Sequence, residues 1–180
     1  WYWASVQLIN LFSENKISDV ANTRKGMATG LNEEFVRSWT EISCSKIGFG
    51  LSRNEAKNSN FKWFPYANGG GYKKWYGNLY DVVNWENDGY RLQTEKTEDL
   101  SRLRAVNLNL DYIFREGIFW TSITSNSSMK YMPKGCLFSS GSNAMFCMDT
   151  DKYVLLALLN SAVSKKILSY ISPGYNNNPG

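Results

Sequence analysis

Residues 112–148, YIFREGIFWTSITSNSSMKYMPKGCLFSSGSNAMFCM, hold the pattern that decides the fold. Residues 112 to 123, apolar on either side of Gly117, read as a strand. Asn126, Ser127 and Ser128 supply a turn, and three short apolar runs follow at 129–132, 136–138 and 144–148. They are divided by Pro133-Lys134-Gly135 and by residues 139–142. Short strands with regular turn signals predict a sheet-rich unit.

Working outward, residues 61–66 read as a strand ending near Pro65, and 67–71 (ANGGG) as a tight turn. Residues 72–76 and 79–85 read as strand, break, strand, with Asn87-Asp88-Gly89 as the next turn. Residues 95–108 predict a charged helix with Leu100, Leu103 and Val106 as a partial stripe. Upstream, 4–13 predicts an amphipathic helix and 16–24 an extended segment. Gly26 and Gly30 bracket a loop, and Asn32 is placed to cap a short helix from Glu33. Residues 43–60 read as loop, with a short strand near 47–51. The last helix is capped by Asp149 or Thr150, carries one continuous stripe through Leu155, Leu159, Val163 (or Ala162), Ile167 and Tyr170-Ile171, and stops at Pro173. The fold class is therefore α+β: a short-stranded mixed or antiparallel sheet with flanking helices, in one domain over residues 1–180.

Composition narrows the function. The 180 residues suffice for one well-buried core. With 43% hydrophobic and 20% charged residues the chain is no disordered polyelectrolyte. Its longest apolar run, 154–159, is far too short to span a bilayer, and no signal-peptide pattern is present, so no membrane partner is expected. The absence of histidine removes Ser-His-Asp and Cys-His catalysis and His metal ligands. Cys44, Cys136 and Cys147 have no CxxC spacing, which argues against a metal site and a disulfide framework and for a reducing, cytoplasmic compartment. A net charge of +4 permits a polyanionic partner without demanding one. Aromatic residues, at 15%, exceed what a core of this size needs and point to a contact surface. The chain opens on Trp1 and closes on Pro179-Gly180, which reads as a piece of a longer protein.

Four stretches carry a resemblance. They are RKGMATGLNEEFVRSW at 24–39, KWFPYANGGGYKKWYGNLYDVVNWENDG at 62–89, REGIFWTSITS with YMPKGCLFSSGS within 114–142, and LLALLNS with the trailing SPGYNNNPG. In this order they resemble the C-terminal part of the adenine-specific DNA methyltransferases of BREX phage-defence systems and related restriction-modification enzymes. The resemblance covers most of the chain from about residue 16. It implies a target-recognition-like region downstream of a catalytic core that moves a methyl group from S-adenosylmethionine to the N6 amine of adenine. Neither a Gly-rich cofactor loop within a βαβ frame nor the catalytic (N/D/S)PP(Y/F) motif is present, and Ser172-Pro173-Gly174-Tyr175 departs from the latter by one residue and follows a helix. The resemblance thus implies S-adenosylmethionine in the parent protein, no cofactor in this piece, and catalysis elsewhere.

The residues allow DNA contact in their own right. Residues 61–76 interleave aromatics with lysines and contain no acid. Lysines neutralise phosphates and aromatic faces stack on bases, which nominates Lys62, Trp63, Tyr66, Lys73, Lys74 and Tyr76. Arg24, Lys25, Thr29, Asn32 and Arg37 form a second group, with short polar side chains beside glycine suited to phosphate or base-edge hydrogen bonds. Asn126 and Lys130 sit on a polar tip between strands. Each group also has a plainer reading, as hairpin core, helix cap or solvated turn. The expected partners are double-stranded DNA and the methyltransferase core of the same parent chain. The competing function is a protein-interaction or scaffold module that docks that core. A carbohydrate-binding module and an independent enzyme fit the residues less well.

Overall fold

The computed structural model describes residues 16–124 and 126–171. The helix expected at 4–13 and the Ser172–Tyr175 stretch lie outside them. Two four-stranded sheets form the frame. In the first, β1 (Ala21–Lys25), β8 (Ser142–Cys147), β5 (Gly117–Thr121) and β6 (Lys130–Met132) lie side by side in that order, all antiparallel. In the second the order is β2 (Val36–Ser38), β4 (Asp81–Asn84), β3 (Trp63–Ala67) and β7 (Leu137–Phe138). Its β2–β4 and β4–β3 pairs are antiparallel, whereas β7 runs parallel to β3. Helices α1 (Asn32–Phe35), α2 (Arg53–Lys57), α3 (Glu86–Thr94), α4 (Lys152–Leu159) and α5 (Ala162–Ile171) flank them, so the α+β expectation stands.

The strand period sorts side chains into layers. Phe64, Tyr66 and Val83 from the second sheet meet Phe119, Met132, Ala144 and Phe146 from the first in a shared core. Their neighbours in sequence point the other way. Ile118, Trp120 and Met145 pack under Leu155, Leu156 and Leu159 of α4. Trp63 and Val82 pack against Ile42 and Ile47 on the far face of the second sheet. Burying such large side chains stabilises by roughly 1.5–3 kcal/mol each.

The VVNWENDG stretch is explained by local geometry. Asn87, Asp88 and Gly89 have φ of 54°, 57° and 73°, a left-handed run at the start of α3. Asp88 accepts two hydrogen bonds from Arg53, at 2.9 and 3.0 Å, and one from the Trp85 indole at 3.2 Å. Burial alone would raise the Asp88 carboxyl, but these donors hold it below its ordinary value. Trp85 is buried, and a Cβ built on Gly89 would lie 2.7 Å from its indole carbons.

Several expectations are corrected. Residues 95–108 are not helical: Lys96 bridges Leu103, and Asp99 accepts from Thr97 and Ser101 in a local turn that competes with helix. Leu100, Leu103 and Val106 are exposed. Residues 72–76 form no strand, only a single bridge from Trp75 to Lys130. Asn32 does not cap α1 but is its first residue, and Leu31 holds the cap position. Within 43–60, α2 forms where loop was expected. The last helix is capped by Asp151, whose side chain accepts from the Tyr153 N–H at 2.7 Å. It breaks at Asn160, and Val163 is 66% exposed, not core.

Gly89→Ala tests the turn. A side chain there meets both a left-handed φ and the indole, so we expect a loss of at least about 2 kcal/mol, a fall in Tm of about 5 °C or more. Calorimetric unfolding of the two proteins measures it. An unchanged Tm would mean that the Trp85–Gly89 contact contributes nothing.

Candidate nucleic-acid interface

The chain leaves β3 at Ala67 and crosses from one sheet to the other before returning in β4. The path requires left-handed backbone at Gly69, Gly70, Trp75, Gly77 and Asn78. Backbone hydrogen bonds hold it. Trp75 N–H donates to the Met129 carbonyl at 3.1 Å, and Tyr131 N–H donates to the Trp75 carbonyl at 2.8 Å, so Trp75 extends the β6 edge by one residue. Thr121 Oγ1 donates to the Gly70 carbonyl at 2.9 Å, and buried Asn78 donates to the Gly71 carbonyl at 2.7 Å. Lys74 Nζ donates to the Asn160 carbonyl at 2.9 Å, at the end of α4, where the helix dipole favours a cation.

Asn160 is the reason the last helix breaks. Its amide accepts from Met129 N–H at 3.1 Å and donates to the Met129 carbonyl at 2.9 Å, as a neighbouring strand would. The side chain is buried and ties α4, β6 and the glycine loop to one point.

What the loop presents outward is aromatic and basic. Tyr72, Trp75, Tyr76 and Tyr80 are all at least half exposed, from 51% to 62%. Lys73 Nζ lies 4.8 Å from the Tyr80 ring centre and bonds its hydroxyl. Lys165, from α5, lies 5.1 Å from the Tyr72 ring centre and 3.1 Å from its hydroxyl. Lys165 was not among the expected site residues. It is 93 residues from Tyr72, and no local pattern announces the contact.

A second group meets in a cleft of about 500 Å³ beside this loop. Thr29, Asn32, Tyr66, Asn68 and residues 139–141 line it. Thr29 is buried and donates to Asn32 Oδ1. Tyr66 is buried against the core with its hydroxyl donating to the Met27 carbonyl at 3.2 Å. Arg37 lies in the adjoining groove, engaged with the Glu33 and Val36 carbonyls and 3.9 Å from Glu41.

The remaining expected residues fall elsewhere. Arg24 sits on β1, bonded to the Tyr112 hydroxyl at 2.9 Å with its guanidinium 4.5 Å from that ring centre. Lys25 is exposed beside it, and Asn126 is exposed on the β5–β6 connection. Lys62 pairs with Glu86 at 3.8 Å. Trp63, Tyr66 and Lys130 are buried rather than presented outward, because strand alternation turns them into packed layers. Lys130 is wholly buried, its Nζ 5.2 Å from the Phe119 ring centre and 3.5 Å from the Ser128 carbonyl. Among the described residues no carboxylate pairs with it, and burial pushes its ammonium down to about 8.

The Gly69–Gly71 run does not fit S-adenosylmethionine. A cofactor loop of that kind links a parallel strand to a helix N-terminus. This run follows β3, which pairs antiparallel with β4 and in parallel only with the two-residue β7, and it leads into irregular backbone instead of a helix, with Gly69 packed against Thr121 and Gly141.

No family model matches the chain. Over 176 residues it is 39% identical to the adenine-specific methyltransferase PglX of Lacticaseibacillus casei (strain Zhang), a match covering 96% of this chain and 15% of that protein. Over 182 residues it is 38% identical to the adenine-specific methyltransferase BrxX of Escherichia coli O9:H4 (strain HS), covering 97% of this chain and 14% of the relative. The chain thus spans a small part of the length of either protein.

Lys130 sets a pH dependence of stability. Its ammonium loses its proton near 8 in the folded chain and near 10.5 when unfolded, so the unfolded state binds more protons between those values. The burial penalty is fully present below pH 8 and fades as pH rises toward 10.5. We expect stability to climb across that window from this residue. Lys130→Met should raise Tm by several degrees at pH 7 and flatten the climb. Denaturant titrations at pH 7, 8.5 and 10 decide it, and parallel pH profiles for the two proteins would refute it.

Proposed function

The chain belongs to the family of the adenine-specific methyltransferases PglX and BrxX, matching one segment of each, and on that premise we propose that it is the part of such an enzyme that engages DNA. In this reading it grips double-stranded DNA so that a core elsewhere in the parent chain can methylate adenine, with S-adenosylmethionine bound by that core. The observation that carries it is the glycine loop: four exposed aromatic rings set among Lys73, Lys74 and Lys165. None of the three lysines pairs with a carboxylate among the described residues. Phosphates draw such cations, and exposed rings offer faces for bases of a distorted strand. Lys74 is tied to Asn160, so Lys73 and Lys165 are the cations free to swing onto phosphate without unpinning the loop.

A docking role for another face has its own support. Val154 and Leu158 of α4, opposite the face that Leu155, Leu156 and Leu159 bury on the sheet, and Val163 of α5 are exposed. Apolar exposure of that kind suits a protein surface more than a polyanion. The two readings concern different faces and can both hold.

Fluorescence anisotropy of the chain with labelled duplex DNA across salt concentrations tests the DNA reading. Affinity should fall steeply with salt, and Lys73→Ala and Lys165→Ala should each flatten the log–log slope by about 0.9. Tyr76→Ala should weaken binding by about 1–3 kcal/mol with little change in slope, as loss of a stacking face does. Binding that ignores all three substitutions would place the DNA surface elsewhere.

A further inference from the structure

We propose that the cleft lined by Thr29, Asn32, Asn68 and Ser139 is a binding site for a single unstacked nucleobase that carries an exocyclic amine. The ligand class follows from the lining. Thr29 donates to Asn32 Oδ1, which leaves the Asn32 amide N–H groups as donors. Asn68 Nδ2 donates to Asp81 at 2.9 Å, which leaves Asn68 Oδ1 as an acceptor. Ser139 Oγ accepts from the Gly141 N–H at 3.0 Å and is hydrogen-bonded to the buried Tyr66 hydroxyl, so it fixes the cleft wall and leaves the reading of a ligand to the two amides. A neutral ring with alternating donors and acceptors on its edge matches such a set, as amide side chains do when they read bases. Met27 and Tyr66, both buried, also line it.

Charge excludes the other nucleic-acid component. Glu33 lines the cleft, and Asp81 and Glu41 line the groove that joins it. The cation in that groove, Arg37, is already held by two backbone carbonyls and Glu41. Phosphate is repelled there, while an amine on the base edge finds carboxylate acceptors. The cleft, of about 500 Å³, is of ordinary ligand size, and a paired base inside a duplex cannot enter it.

Position supports the same reading. Asn68 is the first residue of the glycine loop, and a Cβ built on Gly69 would lie 3.1 Å from the Gly141 carbonyl, so cleft and loop share a wall. A strand lying on the aromatic rings could deliver an extruded base next door. The source of the base rests on the DNA-engaging reading, but the cleft's affinity for a base does not.

The test uses free nucleosides and is blind to phosphate binding. Deoxyadenosine, deoxycytidine and thymidine are titrated into the isotope-labelled 180-residue chain, and amide resonances are followed by NMR. We expect saturable millimolar shifts confined to the side-chain amides of Asn32 and Asn68 and to residues 139–141, with thymidine weakest. Asn32→Ala and Asn68→Ala should each weaken deoxyadenosine by about tenfold, the effect of losing one paired base contact. Lys73→Ala should leave that titration unchanged. Dispersed spectra of every variant establish that it is folded. Shifts absent at millimolar nucleoside, or gathered on Tyr72, Trp75 and Tyr76 instead, would overturn the site. Loss of duplex binding in the anisotropy experiment with the nucleoside shifts intact would refute the DNA reading alone.

Discussion

Two residues hold the sheets to one another. Leu137 and Phe138 leave the first sheet, pair in parallel with the end of β3 in the second, and return to the first as β8 begins. The crossing is fixed by backbone. Met27 N–H donates to the Phe138 carbonyl at 3.0 Å, Ser139 N–H to Ala67 at 3.1 Å, and Ser140 N–H to Met27 at 2.8 Å. Three segments remote in sequence are thereby sewn at one point, with both side chains fully buried. Only glycine fits at residue 26, where a Cβ would lie 2.2 Å from the Phe138 carbonyl oxygen. Buried backbone polar groups must be paired, so loosening this crossing would strand several at once. The polar cleft follows from the same stitch, because the residues just past each of the three segments line it.

The strands of 117–148 were legible as short apolar runs bounded by turn residues, the reading a strand covered on both faces gives, whereas 112–114, expected within the first of them, lie in a turn. Gly117, Ile118, Phe119 and Trp120 are all buried, yet successive residues enter different layers. The helix expected at 95–108 illustrates the opposite case. Its apolar stripe has the right spacing but no partner, and Asp99 offers a tighter local arrangement through its own carboxylate. Periodicity reports what could be buried, not what is. The long final helix failed for a subtler reason. Nothing in LLALLNSAV marks Asn160 as a substitute strand for β6, since its partner Met129 is 31 residues away.

The candidate site divides in the same way. Lys73, Lys74 and Tyr76 were visible as an acid-free aromatic run, and the loop does present Lys73 and Tyr76 outward. Trp63 and Tyr66 belong to the same run but are buried on opposite faces of β3, because both faces of that strand are covered: Tyr66 enters the shared core and Trp63 packs on the far side. Thr29 and Asn32 were read as a phosphate or base-edge group. Their neighbours Asn68 and Ser139, which turn them into a cleft, come from two other segments.

Net charge is a poor guide to this surface. The total of +4 arises from 20 basic and 16 acidic residues. Much of the acid is spent internally or on distant pairs. Asp88 holds Arg53, Glu95 meets Arg91 and Arg104, Glu116 meets Lys152, and Glu86 meets Lys62. Around the loop the lysines face aromatic rings and carbonyls instead. A ring quadrupole attracts a cation without neutralising it, so the positive charge stays available to an incoming anion. Local potential, and with it the rate and salt dependence of encounter, is set by such uncompensated groups rather than by the sum over the chain. A mildly basic protein can therefore gather uncompensated lysines on one surface, and here they gather at the loop whose path takes positive φ at five residues, Gly69, Gly70, Trp75, Gly77 and Asn78.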